Sequence, residues 1–191
     1  MLTDLQCINK CLNGEEKAFN VLVNRYQQRV LSLVYRHVRN QETAQDITQD
    51  IFLKVFRKLQ NFKGDSKFSS WLFRIAVNES IDFIRSQKRK NEESLESAVE
   101  RGLEVRDQSA TADVHASHAR NMETRSVQKA LVSITPEMRS MIILKVYEEK
   151  TFDQIAEILD LPLSTVKSRL YKALEELGRS YRRRSMIREV K

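Results

Sequence analysis

Residues 62–90, FKGDSKFSSWLFRIAVNESIDFIRSQKRK, hold the side chains whose types and spacing most invite a chemical reading. Phe62, Phe68, Trp71, Phe73 and Phe83 are interleaved there with Lys63, Lys67, Arg74, Arg85, Lys88, Arg89 and Lys90, against the acids Asp65, Glu79 and Asp82. Rings set among cations suit a single nucleic-acid strand, because each unpaired base stacked on a ring contributes roughly 1–3 kcal/mol while the cations follow the phosphates. The same pattern also describes a helix with an aromatic core face and a solvated basic face. Cations at its end complement the negative helix terminus, so part of the cluster needs no ligand. This stretch alone leaves both readings open.

A second constellation lies near the other end. Thr151, Phe152, Asp153 and Gln154 spell a capping box, in which the Thr and Gln side chains cap each other's backbone. The short helix it opens carries Ile155, Ala156 and Leu159 inward. A turn at Asp160, Leu161, Pro162 and Leu163 follows, with Ser164 as the expected N-cap of a last helix from Thr165 to about Leu177. Val166, Leu170, Ala173, Leu174 and Leu177 form its predicted core face. The other side presents Ser164, Thr165, Lys167, Ser168, Arg169, Tyr171 and Lys172. Two short helices around a tight turn, the second basic and exposed, are the layout of a helix-turn-helix duplex reader. Lys167, Arg169 and Lys172 can reach guanine edges or phosphates, Ser168 either, and Tyr171 a thymine methyl or the backbone. Asp160 stands where such turns often carry glycine. A three-helix adaptor domain with a solvated basic face is the competing interpretation.

The supporting elements read as helices. The sequence has 191 residues, four glycines and two prolines, and no long alternating β-branched run, which predicts an all-α chain. A short helix starts near Thr3 or Asp4 and ends at Asn13 and Gly14. A second covers about 15–38, with Ala18, Phe19, Leu22, Val23, Tyr26, Val30, Leu33, Val34 and His37 at helical spacing. A third, about 42–59, buries Ala44, Ile47, Ile51, Val55 and Leu59 and leaves Asp46, Gln49, Asp50 and Lys54 on a separate polar stripe, a candidate docking surface. Ser69 or Ser70 is expected to cap a fourth helix, which frays at Lys88, Arg89 and Lys90. A helix ending near Ser133 and Ile134, then one over 136–147 with Thr135 as cap and Pro136 at its first position, precede the helix-turn-helix.

Charge divides the chain into three. Residues 1–90 carry sixteen basic against nine acidic side chains, residues 91–125 four against eight, and residues 126–191 thirteen against nine, giving +7, −4 and +4. Two small helical domains drawn to a polyanion, 1–90 and 126–191, joined by a flexible acidic linker over 91–125, is the expected organisation. One marginal helix over 93–103 is all that the linker predicts. His115 and His118 fall within it and read as solvated.

Enzymatic and metal chemistry find no foothold. There is no Gly-rich phosphate loop or nucleophile-elbow motif, and Asp46 and Asp50 lack a histidine or a second motif. Cys7 and Cys11 lie one helical turn apart without the further ligands a metal site needs, so no metal and no cofactor are expected. No apolar run approaches the ~20 residues needed to cross a bilayer, and the N-terminus lacks the order of a signal peptide, so a cytoplasmic protein is expected.

Taken together, these segments resemble an extracytoplasmic-function (ECF) sigma factor of bacteria. Lys17, Ala18, Phe19, Leu22, Val23, Arg25 and Tyr26 are similar to that family's first core helix. Asp46, Gln49, Asp50 and Phe52 resemble its D-x-x-Q-[DE]-x-F signature. Phe62, Gly64, Ser66, Phe68, Trp71, Leu72, Arg74, Ile75, Ala76 and Asn78 resemble the promoter-melting segment, and Phe152, Ile155, Ala156, Thr165, Val166, Lys167, Ser168 and Arg169 the helix-turn-helix.

The resemblance implies a chain with no catalytic chemistry, which binds core RNA polymerase and directs it to promoters. Asp46, Gln49, Asp50 and Lys54 would dock on the clamp helices of the β′ subunit, with further contact to β. Phe62, Lys63, Phe68, Trp71, Arg74, Asn78 and Arg85 would capture the −10 element as single-stranded DNA. Residues 164–172 would read the −35 duplex. An anti-sigma factor, often membrane-anchored, would hold such a protein inactive at the inner membrane. A stand-alone dimeric helix-turn-helix regulator is the principal alternative, although the aromatic-basic segment has no purpose in it.

Overall fold

The computed structural model describes residues 2–100 and 120–189, and every regular element among them is helical. The helices are α1 (Asp4–Leu12), α2 (Lys17–Val38), α3 (Gln41–Lys58), α4 (Phe68–Glu100), α5 (Arg120–Val132), α6 (Pro136–Ile142), α7 (Phe152–Leu159) and α8 (Leu163–Glu189). A 3₁₀ turn, Leu59–Asn61, follows α3, and a π-helical turn, Ile143–Tyr147, follows α6. Most of the expected linker and both of its histidines lie outside the described residues.

Helices α1 to α4 form one bundle because each has a single apolar face. Leu22, Val30, Leu33 and Val34 of α2, Ala44, Ile51 and Val55 of α3, and Leu72, Phe73 and Ala76 of α4 are wholly buried against one another. Thr3 caps α1 through a reciprocal pair with Gln6, and the Asn40 side chain accepts from the Thr43 amide to start α3. A second cluster gathers Leu131, Ile134, Met141, Ile142, Leu170 and Ala173 from α5, α6 and α8.

Five local expectations are revised. Helix α4 does not fray at Lys88 but continues to Glu100, since residues 91–100 contain no Gly or Pro and Lys88 pairs with Glu92 one turn on, at 3.6 Å. Its start is Phe68, not a serine cap: the amides of Ser70 and Trp71 donate to the Lys67 carbonyl, and Ser70 is buried. Ser164 lies inside the first turn of α8, where the Val166 amide donates to the Pro162 carbonyl. Leu174 is 40 % exposed, because Val166, Leu170, Ala173 and Leu177 already fill the inward stripe and Leu174 falls about 100° from Ala173. The expected helix over 136–147 is also interrupted by the π turn, with the Glu148 amide donating back to the Ile143 carbonyl at 3.1 Å.

The two bundles pack on each other. Ile143, Leu144, Ile155, Ile158 and Val166 belong to the same continuous apolar cluster as the N-terminal core. Helix α4 lies against α6 and α7, and α2 against α6. The buried Arg139 locks this junction: its guanidinium donates to the carbonyls of Leu131 (2.9 Å), Val132 (2.8 Å) and Ile134 (3.3 Å) at the end of α5, and to that of His37 (2.6 Å) at the end of α2. One cation thereby satisfies carbonyls at the C-terminal ends of two helices, where the helix dipole favours positive charge. Burial lowers the Arg139 pKa to about 10, with the Arg39 charge adding to the effect, and it stays protonated at neutral pH.

His37 is the second buried polar group at the junction. Burial, reinforced by the Arg139 charge, lowers its pKa to about 3, so the imidazole is neutral in the folded protein, with Nε2 3.3 Å from Ser140 Oγ. A histidine depressed in this way contributes stability that is fully present above its unfolded value of 6.5 and is lost as pH falls toward 3. Below about pH 5.5, urea unfolding is expected to show stability falling by about 1.4 kcal/mol per pH unit from this residue, and His37→Gln to remove that slope. Arg139→Ala is expected to cost about 3 kcal/mol at neutral pH, read by the same titration, because it leaves several carbonyls without their donor.

Candidate nucleic-acid and polymerase interface

The loop between the 3₁₀ turn and α4 is built on aromatic packing. Phe62 stands 5.8 Å from Phe68 and 5.4 Å from Trp71, centre to centre, and Phe68 is in turn 5.7 Å from Tyr26. Phe68 is only 3 % exposed, whereas Phe62 and Trp71 are half-buried and keep surface in solvent. Phe68 therefore anchors the loop and leaves the outer rings free for a ligand. Gly64 has φ +81°, a left-handed turn that a side chain resists, and lets the loop fold back over its own helix.

A cleft of about 750 Å³ opens beside this loop, walled by Gly64, Ser66 and Lys67 on one side and by Asp4 and Tyr26 on the other. Tyr26 donates from its hydroxyl to Asp4 Oδ2 at 2.6 Å, and Asp4 also pairs with Arg25. Burial, with that hydrogen bond, pushes the Tyr26 phenol up to about 12. The rim is therefore a fixed polar network that ties α1 to α2. Lys67 is the cation of the cleft wall, beside Asp65 and Glu157, and Lys63 stands exposed in the same loop.

Along α4, Ser70, Arg74, Asn78 and Arg85 fall with Trp71 inside a stripe about 100° wide, as their spacing at 100° per residue requires. Asn78 is exposed. Arg74 donates to the Glu157 carbonyl, and Arg85 meets the Glu137 carboxylate at 2.7 Å. The stripe brings the sequence-predicted strand-binding residues onto one face, except for the buried Phe68 and the loop residues Phe62 and Lys63.

On α3, Asp46, Gln49 and Asp50 are exposed, while Lys54 is half-buried and pairs with Glu79 of α4. Leu53, 52 % exposed, and Phe56, 39 % exposed, lie on the outer side of this same helix and were not singled out in the sequence. A charged stripe with apolar side chains beside it suits a protein partner better than DNA, whose phosphates the two aspartates would repel.

The helix-turn-helix takes the expected form. Thr151 and Gln154 cap α7 reciprocally, and Asp160 supplies the left-handed C-cap at φ 55° and ψ 50°. Aspartate tolerates this conformation through its short polar side chain, which is why no glycine is needed. Val166 and Leu170 of α8 are buried beneath the turn. Lys167, Ser168, Arg169, Tyr171 and Lys172 are exposed, Tyr171 by 65 %; Ser164 is exposed and Thr165 half-buried. Lys167 reaches back over the Phe152 ring at 5.9 Å, and the Ser168 hydroxyl donates to the Thr165 carbonyl at 3.1 Å.

Among the described residues, no group of three His, Cys, Asp or Glu side chains could hold a metal ion, and no helix is long and apolar enough to cross a membrane. Cys7 is buried, Cys11 is half-buried, and both are free thiols.

A helical bundle with an aromatic loop and basic helix, followed by a helix-turn-helix, defines a sigma-type transcription protein. The family description Sigma-70 region 2 matches residues 22–90, and Sigma-70, region 4 matches residues 124–177. The ECF RNA polymerase sigma-E factor of Escherichia coli K12 is 35 % identical over 181 residues, spanning 92 % of this chain and 93 % of the relative. Its counterpart in Haemophilus influenzae is 34 % identical over 180 residues, 91 % of this chain and 93 % of the relative. The chain belongs to the ECF sigma factor family.

Solved structures agree on the fold. CnrH in complex with the cytosolic domain of CnrY superposes with a TM-score of 0.65 at 21 % identity, covering 90 % of this chain and 92 % of that one. The sigma factor RpoE in complex with the anti-sigma factor NepR, from Bartonella quintana, gives 0.63 at 22 % identity over 87 % of this chain and 98 % of that one.

Among the described residues, the exposed Lys167 and Lys172 form no ion pair with a carboxylate, which leaves their charge facing solvent. Lys167→Ala or Lys172→Ala is expected to weaken use of the upstream promoter element by about 1–3 kcal/mol if the residue reads a base. If it contacts a phosphate, binding weakens across all sequences and the salt slope falls by about 1. Transcription from promoters with single-base changes in that element separates the two.

Proposed function

We propose that this ECF sigma factor divides promoter recognition among three of its faces. As a member of its family it binds core RNA polymerase, directs it to promoters and is not itself an enzyme. The exposed stripe of Asp46, Gln49 and Asp50, flanked by Lys54, docks on the polymerase, and Leu53 adds apolar contact. Lys63, Trp71, Arg74, Asn78 and Arg85, with Phe62, take the −10 element as a single strand. Phe68 acts behind them by holding the loop. Residues 164–172 of α8 read the −35 element as duplex.

The observation that carries this reading is the stripe of α4. Half-buried Trp71 and the cations Arg74 and Arg85 share one helix face beside an open cleft, with Phe62 of the loop packed on the Trp71 ring, in the same chain as a separate duplex reader. A duplex offers no unstacked base to such rings, so the stripe does its work only after strands part. Strand opening then draws on binding energy realised once bases leave the stack.

The domain limits follow as residues 1–90 and 126–191, with a linker between them. The solved complexes of relatives with anti-sigma factors support an anti-sigma factor as the regulator of this chain, acting in the cytoplasm or at the inner face of the membrane.

Run-off transcription with bacterial core polymerase on genomic promoter fragments tests the function. Discrete starts that need this protein are expected. An absence of starts together with salt-sensitive duplex binding by the protein alone would instead indicate a free-standing regulator. Asp50→Ala is expected to lower core-polymerase affinity about tenfold, roughly 1.4 kcal/mol, with an unchanged circular dichroism spectrum. Unchanged affinity in that variant would remove α3 as the docking face.

A further inference from the structure

Away from the three faces assigned above, one cavity carries positive charge without a counter-charge. It measures about 390 Å³, and its walls are the C-terminal half of α2, Gln41 at the start of α3, Gln128 and Leu131 of α5, and Tyr147 of the π turn. Arg36 and Arg39 line it. Among the described residues neither arginine pairs with a carboxylate, and the lining holds no Asp or Glu.

Rings of the protein hold both guanidiniums in place. Arg36 stacks 4.0 Å over the Tyr147 ring and donates from Nη1 to the Ser32 carbonyl at 2.9 Å. Arg39 sits 5.9 Å from the centre of the Tyr35 ring, on a left-handed backbone at φ 63° that caps α2 and that a long side chain seldom adopts. Its Nε and Nη1 are buried and have no hydrogen-bond partner among the described residues. Buried donors left unmade are costly, and more so on a charged group. The Arg39 charge also presses on buried Arg139, whose own donors are spent on carbonyls. Glu137 offsets part of that repulsion but is itself engaged by Arg85. An anion in the cavity would satisfy the Arg39 donors and relieve the repulsion together.

We propose that this cavity binds a small phosphate-bearing molecule, with Arg36 and Arg39 holding the phosphate and Gln28, Gln41 and Gln128 offering hydrogen bonds to the remainder. Planar guanidinium forks match phosphate oxygens in pairs, and two of them balance the double charge that a phosphate ester carries near neutral pH. The guanidiniums already occupy the Tyr35 and Tyr147 rings, so recognition runs through the phosphate and not through a stacked base. The volume falls in the range of small-molecule sites. None of these residues belongs to the polymerase, −10 or −35 faces, so the site stands or falls independently of them.

Isothermal titration of the full chain with pyrophosphate, inorganic phosphate and citrate, in magnesium-free buffer, tests the proposal. Saturable binding at one site is expected for the phosphates, with a raised Tm, and citrate is expected to bind about tenfold more weakly than the better of them. Preference for pyrophosphate would assign a polyphosphate ligand, and preference for inorganic phosphate a monophosphate. Arg36→Gln and Arg39→Gln are each expected to weaken binding about tenfold. Gln128→Glu places a carboxylate in the cavity in the ligand's stead; it is expected to abolish phosphate binding while raising Tm, and it keeps the test open if an arginine variant does not fold. Four results would overturn the proposal: no saturable binding of either phosphate by wild type, affinity unchanged in Arg39→Gln or Gln128→Glu, equal affinity for citrate, or displacement of pyrophosphate by a single-stranded oligonucleotide, which would give the two arginines to promoter DNA.

Discussion

An arginine on a half-covered helix face needs hydrogen-bond acceptors, and α4 carries two such arginines above an apolar underside that fixes where they point. Leu72, Phe73 and Ala76 are wholly buried, so the helix cannot rotate without exposing its core face. Arg74 and Arg85 are consequently held outward, where Arg74 donates to the Glu157 backbone carbonyl and Arg85 to the Glu137 carboxylate. In the structure the C-terminal domain supplies both acceptors. In the working complex proposed above, the promoter strand takes their place. The fold and the proposed recognition surface both descend from this one amphipathic helix.

The junction between domains is polar where most cores are not. Arg139 gathers carbonyls from the ends of α2 and α5, and His37 sits neutral beside it. A buried charge hydrogen-bonded to several carbonyls is expensive to break one partner at a time but can be released as a unit when both helix ends separate. Such a junction specifies one closed geometry more sharply than apolar packing could. The apolar residues Ile143, Leu144, Ile155 and Ile158 supply the area, and the polar groups set the register.

Much of this was legible in the sequence where one physical signal dominated. The 3.6-residue apolar period placed α2 and α3 to within two residues, and the Thr151 to Gln154 box placed the start of α7. Asp160 as the turn residue and the exposed basic side of α8 were equally readable. What escaped depends on contacts between segments far apart in the chain. Nothing local marks Arg139, Arg29 or Glu157, since an arginine or glutamate at helical spacing reads as solvated until its partner, about a hundred residues away for Arg29 and Glu148, is known. Phe68 looked like one ring among several, and only packing against Tyr26 and Phe62 shows it as the buried support. The π turn after α6 escaped for a different reason: no residue type announces an added backbone position.

The most direct test of the central claim is photocrosslinking from position 78 in the open promoter complex, with Asn78 replaced by a photoreactive phenylalanine. Asn78 is exposed at the middle of the α4 stripe, between Arg74 and Arg85. Crosslinks to the non-template strand within the melted −10 region, absent from the closed duplex complex, are the predicted result. Crosslinks confined to duplex DNA, or to no DNA at all while transcription proceeds, would contradict the account and return α4 to the role of a core helix with a solvated face.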